Sequence, residues 1–166
     1  MHESPQPFVT TRIFKVPREL LFKAHTEVKH LEQWWSPTGY QSIHSSIDFQ
    51  VGGCYHYANE ALDGQIIWGK QIFQEIVLNE KIALIQFFSN PEGGVARHPM
   101  SATWPLEMMA TTLFEDVEGA HTKLTLNWQP INSDDLGNST FELARSGLSH
   151  GIGGTFDKLE NYLKSL

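Results

Sequence analysis

A chain of 166 residues, 40% hydrophobic and 19% charged, has a globular composition and is long enough to bury roughly 70% of its unfolded surface. Its formal charge of −7 and the scatter of Arg12, Lys15, Arg18, Lys23 and Lys29 give phosphate no basic patch, which argues against a nucleic-acid partner. The lone Cys54 rules out an internal disulfide, no apolar run reaches the ~20 residues of a membrane span, and Met1 to Phe8 lacks a secretion-signal pattern, so a cytoplasmic protein with no membrane partner is expected.

No repeat or low-complexity linker divides the chain, so 8–166 is expected to be a single domain behind an N-terminal tail, 1–7. The first strand is predicted over Phe8 to Val16, with Phe8, Thr10, Arg12, Phe14 and Val16 on one face. Pro17 suits the first turn of a short helix over Arg18 to His25. A second short helix carries Val28, Leu31, Trp34 and Trp35 at helical spacing and ends at Ser36-Pro37-Thr38-Gly39. Ile43, Ile47, Phe49 and Val51 then alternate with polar residues, Gly52-Gly53 marks a turn, and Cys54 to Asn59 returns as a strand.

Strands are predicted over Ile66–Leu78 and Lys81–Ser89, joined at Asn79-Glu80. An irregular stretch, Asn90 to Ala102, leads to strands over Thr103–Val117 and His121–Gln129. Trp104, Leu106, Met108, Ala110 and Phe114 share a face of the first, and Leu124, Leu126 and Trp128 share a face of the second, as in a sheet with one wet side. Ser139 and Glu142 have capping-box spacing. The stripe Phe141, Ala144, Leu148, Ile152, Phe156, Leu159 and Leu163 then predicts a long helix lying on the sheet. The class is α+β: an antiparallel sheet of about six to seven strands, two short helices after the first strand, and a C-terminal helix.

Val16-Pro17-Arg18-Glu19-Leu20-Leu21-Phe22, Leu31-Glu32-Gln33-Trp34-Trp35, Val51-Gly52-Gly53-Cys54-Tyr55 and Gly151-Ile152-Gly153-Gly154-Thr155-Phe156-Asp157-Lys158-Leu159 follow one another in an order that resembles the START-like helix-grip (SRPBCC) superfamily. More narrowly, the chain resembles the family named after the activator of the heat-shock protein 90 ATPase. The resemblance implies a curved sheet wrapped around the last helix, and a cavity between them of the kind used for small apolar or amphipathic ligands. It also raises a chaperone as a partner. Where such sequences often carry Trp, this one has Ile152, which reshapes the space under the helix.

Trp35, Phe49, Trp68, Trp104, Trp128 and Phe156 are the candidate aromatic wall, with Met108, Ile152 and His150 beside them. For any one of these residues ordinary core packing competes with ligand contact. At the Gly52-Gly53 hairpin two arrangements stay open: a strict two-residue turn turns Cys54 and His56 inward, and a bulge turns Tyr55 and Tyr57 inward. Gly147, Gly151, Gly153 and Gly154 cost a helix about 1 kcal/mol each. They are read either as close packing, a late start or a kink, or as room for a ligand.

Eight histidines are present, none at the two- or four-residue spacing that puts two metal ligands on one face. Cys54 and His56 lack an evident third partner, and no phosphate loop, nucleophile elbow or zinc-protease motif occurs. No catalytic residue, metal or cofactor is therefore assigned. The expected partner is a small hydrophobic ligand, with an enzyme acting on a hydrophobic substrate in the same cavity as an alternative; exposed sheet edges also suit a homodimer.

Overall fold

The structure is a computed structural model and describes residues 5–166; residues 1–4 of the expected tail lie outside the described residues. Strand β1 (Phe8–Phe14) buries Phe8 and Phe14 and leaves Val9 and Ile13 on the opposite, exposed face. It ends two residues before Val16. Residues 6 and 7 are held: the Arg145 guanidinium donates to the carbonyls of Gln6 and Pro7.

Helix α1 (Arg18–Ala24) buries Leu21, Phe22 and Ala24, and α2 (Val28–Trp34) buries His30, Leu31 and Trp34. The Trp34 indole donates to the Ala24 carbonyl at 2.9 Å and fixes the two helices together. A His30–Tyr162 hydrogen bond of 2.6 Å ties α2 to the end of the last helix.

Strands β2 (Tyr40–Ile47), β3 (Cys54–Ala61), β4 (Ile66–Val77), β5 (Lys81–Phe88), β6 (Glu107–Val117) and β7 (His121–Ile131) follow. Among the described residues all seven strands form one antiparallel sheet, ordered β1-β7-β6-β5-β4-β3-β2. The β4–β5 turn places Asn79 at φ 62°, a conformation asparagine tolerates.

Three boundaries differ from the sequence expectation for local reasons. The loop between β2 and β3 spans residues 48–53, so Ile47 pairs with Tyr55, and Tyr55 and Tyr57 are the inward pair. Ile43 falls at a register break between Ser42 and His44 and is exposed, as is Val51. Strand β6 begins at Glu107, not Thr103, because Pro105 has no N–H for a ladder and the Trp104 N–H turns back to the Ser101 carbonyl.

Helix α3 runs unbroken over Asp135–Lys164. It does not start late, and its cap is Asp134, whose carboxylate accepts from the Gly137 N–H at 2.7 Å; Ser139 and Glu142 are not a capping box. Phe156, Leu159 and Leu163 close the main core against Phe14, Leu21, Trp34 and Leu124, while Phe141 joins Phe8, Trp104 and Met108 in a second cluster. The result is a curved sheet gripping one long helix.

Candidate functional site

A sheet wider than one helix leaves space beside that helix. Here the space is a cavity of about 380 Å³ on the concave side of the sheet, within the range of ligand pockets. The floor is made by inward-facing residues of β3 to β7, among them Tyr57, Leu84, Ala110, Leu126 and Trp128; Ile152, Thr155 and Phe156 of α3 form the roof. Leu31 and Trp35 close the α2 end, and Ser36, Pro37 and Tyr40 border it nearby. A neighbouring cavity, lined by Trp104, Met108, Leu143, Gly147 and Leu148, shares Tyr57, Gln86, Phe88, His98, Met100 and Trp128 with the first.

The polar groups on this surface are few and mostly neutral. Asn59 and Gln71 are buried, and Asn59 with its amide turned donates to the Trp35 carbonyl at 3.3 Å. The Tyr57 hydroxyl has its pKa pushed up to about 12 by burial, against the opposing effect of hydrogen bonds from Trp35 and Gln86. Burial lowers the His98 pKa; its ring packs on Phe88 at 4.3 Å between centroids. Among the described lining residues there is no Asp, Glu, Lys or Arg. The Trp128 indole nitrogen is buried without a hydrogen-bond partner among the described residues.

Of the residues singled out from sequence, Trp35, Tyr57, Trp128, Ile152 and Phe156 meet at the first cavity, and Trp104 and Met108 at its neighbour. Trp68 borders the first cavity, but by strand alternation its ring belongs to the other face, with His44 and His56 at 5.4 and 5.1 Å. Three placements are corrected. Phe49 packs into the core on Phe22 and Phe73 instead of lining either cavity. Tyr55 is buried against Tyr57 at 4.9 Å, with its hydroxyl directed to Ser45, and lines neither. His150 is exposed on α3, on the side turned from the sheet, because it stands two residues from Ile152 on a 3.6-residue period.

Sequence reasoning missed His25. Its ring lines the cavity, packed edge-on to Trp34 at 4.8 Å and to Phe114 at 5.1 Å. Burial lowers its pKa to about 4, only partly opposed by the hydrogen bond to the Leu21 carbonyl, so the imidazole is neutral at pH 7. No linear motif marks it, since its neighbours come from α2 and β6.

The α2–β2 corner is held by Lys158. Its ammonium donates to the carbonyls of Ser36, Pro37 and Tyr40 at 3.2–3.3 Å and to the Ser36 hydroxyl, and burial lowers its pKa. The His56 ring bonds Ser89 at 3.2 Å. No group of three or more metal-ligating side chains occurs among the described residues.

A seven-stranded antiparallel sheet folded around a C-terminal helix, with a cavity between them, defines a helix-grip domain of the START-like class. Residues 15–164 match the family described as Activator of Hsp90 ATPase homolog 1-like protein, and the chain belongs to that family. A protein from Nitrosomonas europaea has a similar structure at 20% identity and a TM-score of 0.75, with 96% of this chain and 95% of that one covered. An Arthrobacter aurescens protein is similar at 19% identity and a TM-score of 0.78, with 96% and 87% covered. A Staphylococcus aureus protein of unknown function is similar at 16% identity and a TM-score of 0.71, with 96% and 93% covered. At these identities the likeness concerns the fold. No curated protein matches the chain. No helix of the described residues is long and apolar enough to cross a membrane.

Proposed function

We propose that this domain binds a small apolar or amphipathic molecule in the cavity between the sheet and α3. The observation that supports the reading most directly is the lining. Leu84, Ala110, Leu126, Trp128, Ile152 and Phe156 present apolar surface to empty space, and charged side chains are absent from the described lining. Filling such a space would recover dispersion contacts that the wall otherwise lacks. Single-domain organisation over 8–166 and a cytoplasmic setting, suggested by the lone Cys54, belong to the same proposal.

The test is binding of several apolar fluorescent probes, read by quenching of Trp35 and Trp128 and by a rise in Tm that follows ligand concentration. The same protein, purified from its own source, is then examined by native mass spectrometry for a co-purifying compound. Absence of probe binding, of Tm shift and of any bound compound would overturn the reading.

The family's description suggests a second reading, a module that acts on a chaperone ATPase. It rests on that description alone; an unchanged chaperone ATPase rate in the presence of this protein removes it. A homodimer through the free edge of β1 or β2 is a separate proposal, tested by sedimentation equilibrium.

A further inference from the structure

Helix α1 ends in a way that leaves one carbonyl without a backbone donor. The His25 N–H, which a continuing α-helix would direct to Leu21, bonds Phe22 instead at 3.0 Å. The His25 ring fills the gap: its Nδ1 lies 2.8 Å from the Leu21 carbonyl oxygen. A carbonyl only accepts, so Nδ1 carries the proton and the other ring nitrogen, Nε2, carries a lone pair. The tautomer is thus set by the helix end.

Nε2 has no hydrogen-bond partner among the described residues, while the ring lines the cavity. Of the two rings packed on it, Phe114 has no polar atom, and the Trp34 indole N–H is engaged by the Ala24 carbonyl. The cavity lining, which also includes Leu31, Phe73, Ile82 and Thr112, therefore includes an acceptor whose tautomer is fixed. What could satisfy it is restricted by charge. With no carboxylate in the described lining a cationic head group would be unpaired, and with no Lys or Arg a carboxylate would be too.

Building on the binding reading above, we infer that the ligand carries a neutral hydroxyl, an alcohol or phenol on an apolar body, which donates its proton to His25 Nε2. His25 then supplies an acceptor of fixed tautomer, beside the neutral polar groups of Asn59, Gln71 and Tyr57 and the Trp128 indole N–H on the same wall. A buried acceptor discriminates sharply against a ligand that lacks the donor, because the acceptor is left unpaired.

The experiment compares 4-ethylphenol with 4-ethyltoluene, a pair of like shape that differs in the donor. Binding is followed by protein NMR titration, with the histidines labelled with nitrogen-15. The expected result is that wild type binds the phenol about tenfold more tightly, that the His25 Nε2 resonance moves on adding the phenol and not the toluene, and that His25→Phe abolishes the preference. Equal or weaker binding of the phenol by wild type, or an unmoved Nε2 resonance, overturns the inference while cavity binding stands. A preference that survives in folded His25→Phe also overturns it. If neither compound binds, this inference falls, and the cavity reading is decided separately by the probe series and the native mass spectrometry described above. The wild-type titration and its Nε2 resonance decide the matter even where the variant does not fold.

Discussion

The Tyr57 ring lies over the bare α-carbon of Gly69, its direct cross-strand partner in β4. A methyl group built at Gly69 would overlap the phenol ring and come within 2.7 Å of Cε2. Glycine in a strand interior ordinarily weakens it, but here it makes room for an aromatic that walls both cavities. Gly69→Ala should therefore destabilise the fold by about 1–3 kcal/mol through overpacking. It should also reduce probe binding more than Tyr57→Phe does, as read by urea denaturation and probe titration. Unchanged stability would mean that Tyr57 has another position open to it.

The four glycines between residues 146 and 154 of α3 divide into two kinds. A methyl group at Gly147, Gly151 or Gly153 meets nothing within 4 Å, whereas one at Gly154 would lie 2.6 Å from Thr38 Oγ1. Close packing accounts for the last alone. Each of the first three, changed to Ala, should stabilise the protein by roughly 1 kcal/mol, and Gly154→Ala should gain less or lose stability, measured as shifts in urea midpoint. Equal gains at all four would show that the Thr38 side chain moves aside freely.

His25 should make stability depend on pH. Its pKa is about 4 when folded and 6.5 for the free side chain, so between those values the unfolded chain takes up the proton and the folded one does not. The contribution is fully present above pH 6.5 and is lost as pH falls toward 4, up to about 3 kcal/mol. The measurement is the difference between wild type and His25→Gln in urea denaturation across that range, which removes the shared carboxylate background. A constant difference from pH 7 to pH 4 would place the proton elsewhere.

Lys158 supplies the charge at the α2–β2 corner, where three carbonyls and a hydroxyl receive its protons. The group is partly solvated, so the effect is discounted from that of a buried charge. Lys158→Met should cost about 1 kcal/mol and speed hydrogen exchange in residues 36–40. Unaltered exchange there would show that water serves those carbonyls equally well.

Much of the fold was readable because burial in several strands follows a two-residue period, although β3 and β5 each bury three residues in succession. The alternation in β1, from Phe8 to Phe14, and in β7, through Leu124, Leu126 and Trp128, matches the side on which those residues sit. Errors arose where one residue changed the phase. The break at Ile43 put it on the wet side, and the six-residue loop before Cys54 decided between Tyr55 and Cys54. The start of α3 was hidden because its first apolar residue, Leu136, is exposed, so the helical stripe begins nearly two turns after the helix does. The site was legible to the extent that large aromatics on inward strand positions reach a shared cavity, as Tyr57 and Trp128 do. His25 was not legible, because its role depends on how α1 ends and on a strand almost 90 residues away in sequence.

Helix α3 is clamped near both extremities. At one, Asp134 caps it and Arg145 grips the chain before β1; at the other, Lys158 and Tyr162 hold it to the α2 region. Between the clamps, residues 146–154 carry four glycines and span both cavities. Mechanically this is a beam fixed at its ends and thinned at mid-span. Bending of such a beam concentrates where its section is weakest, and that stretch lies over the interior space.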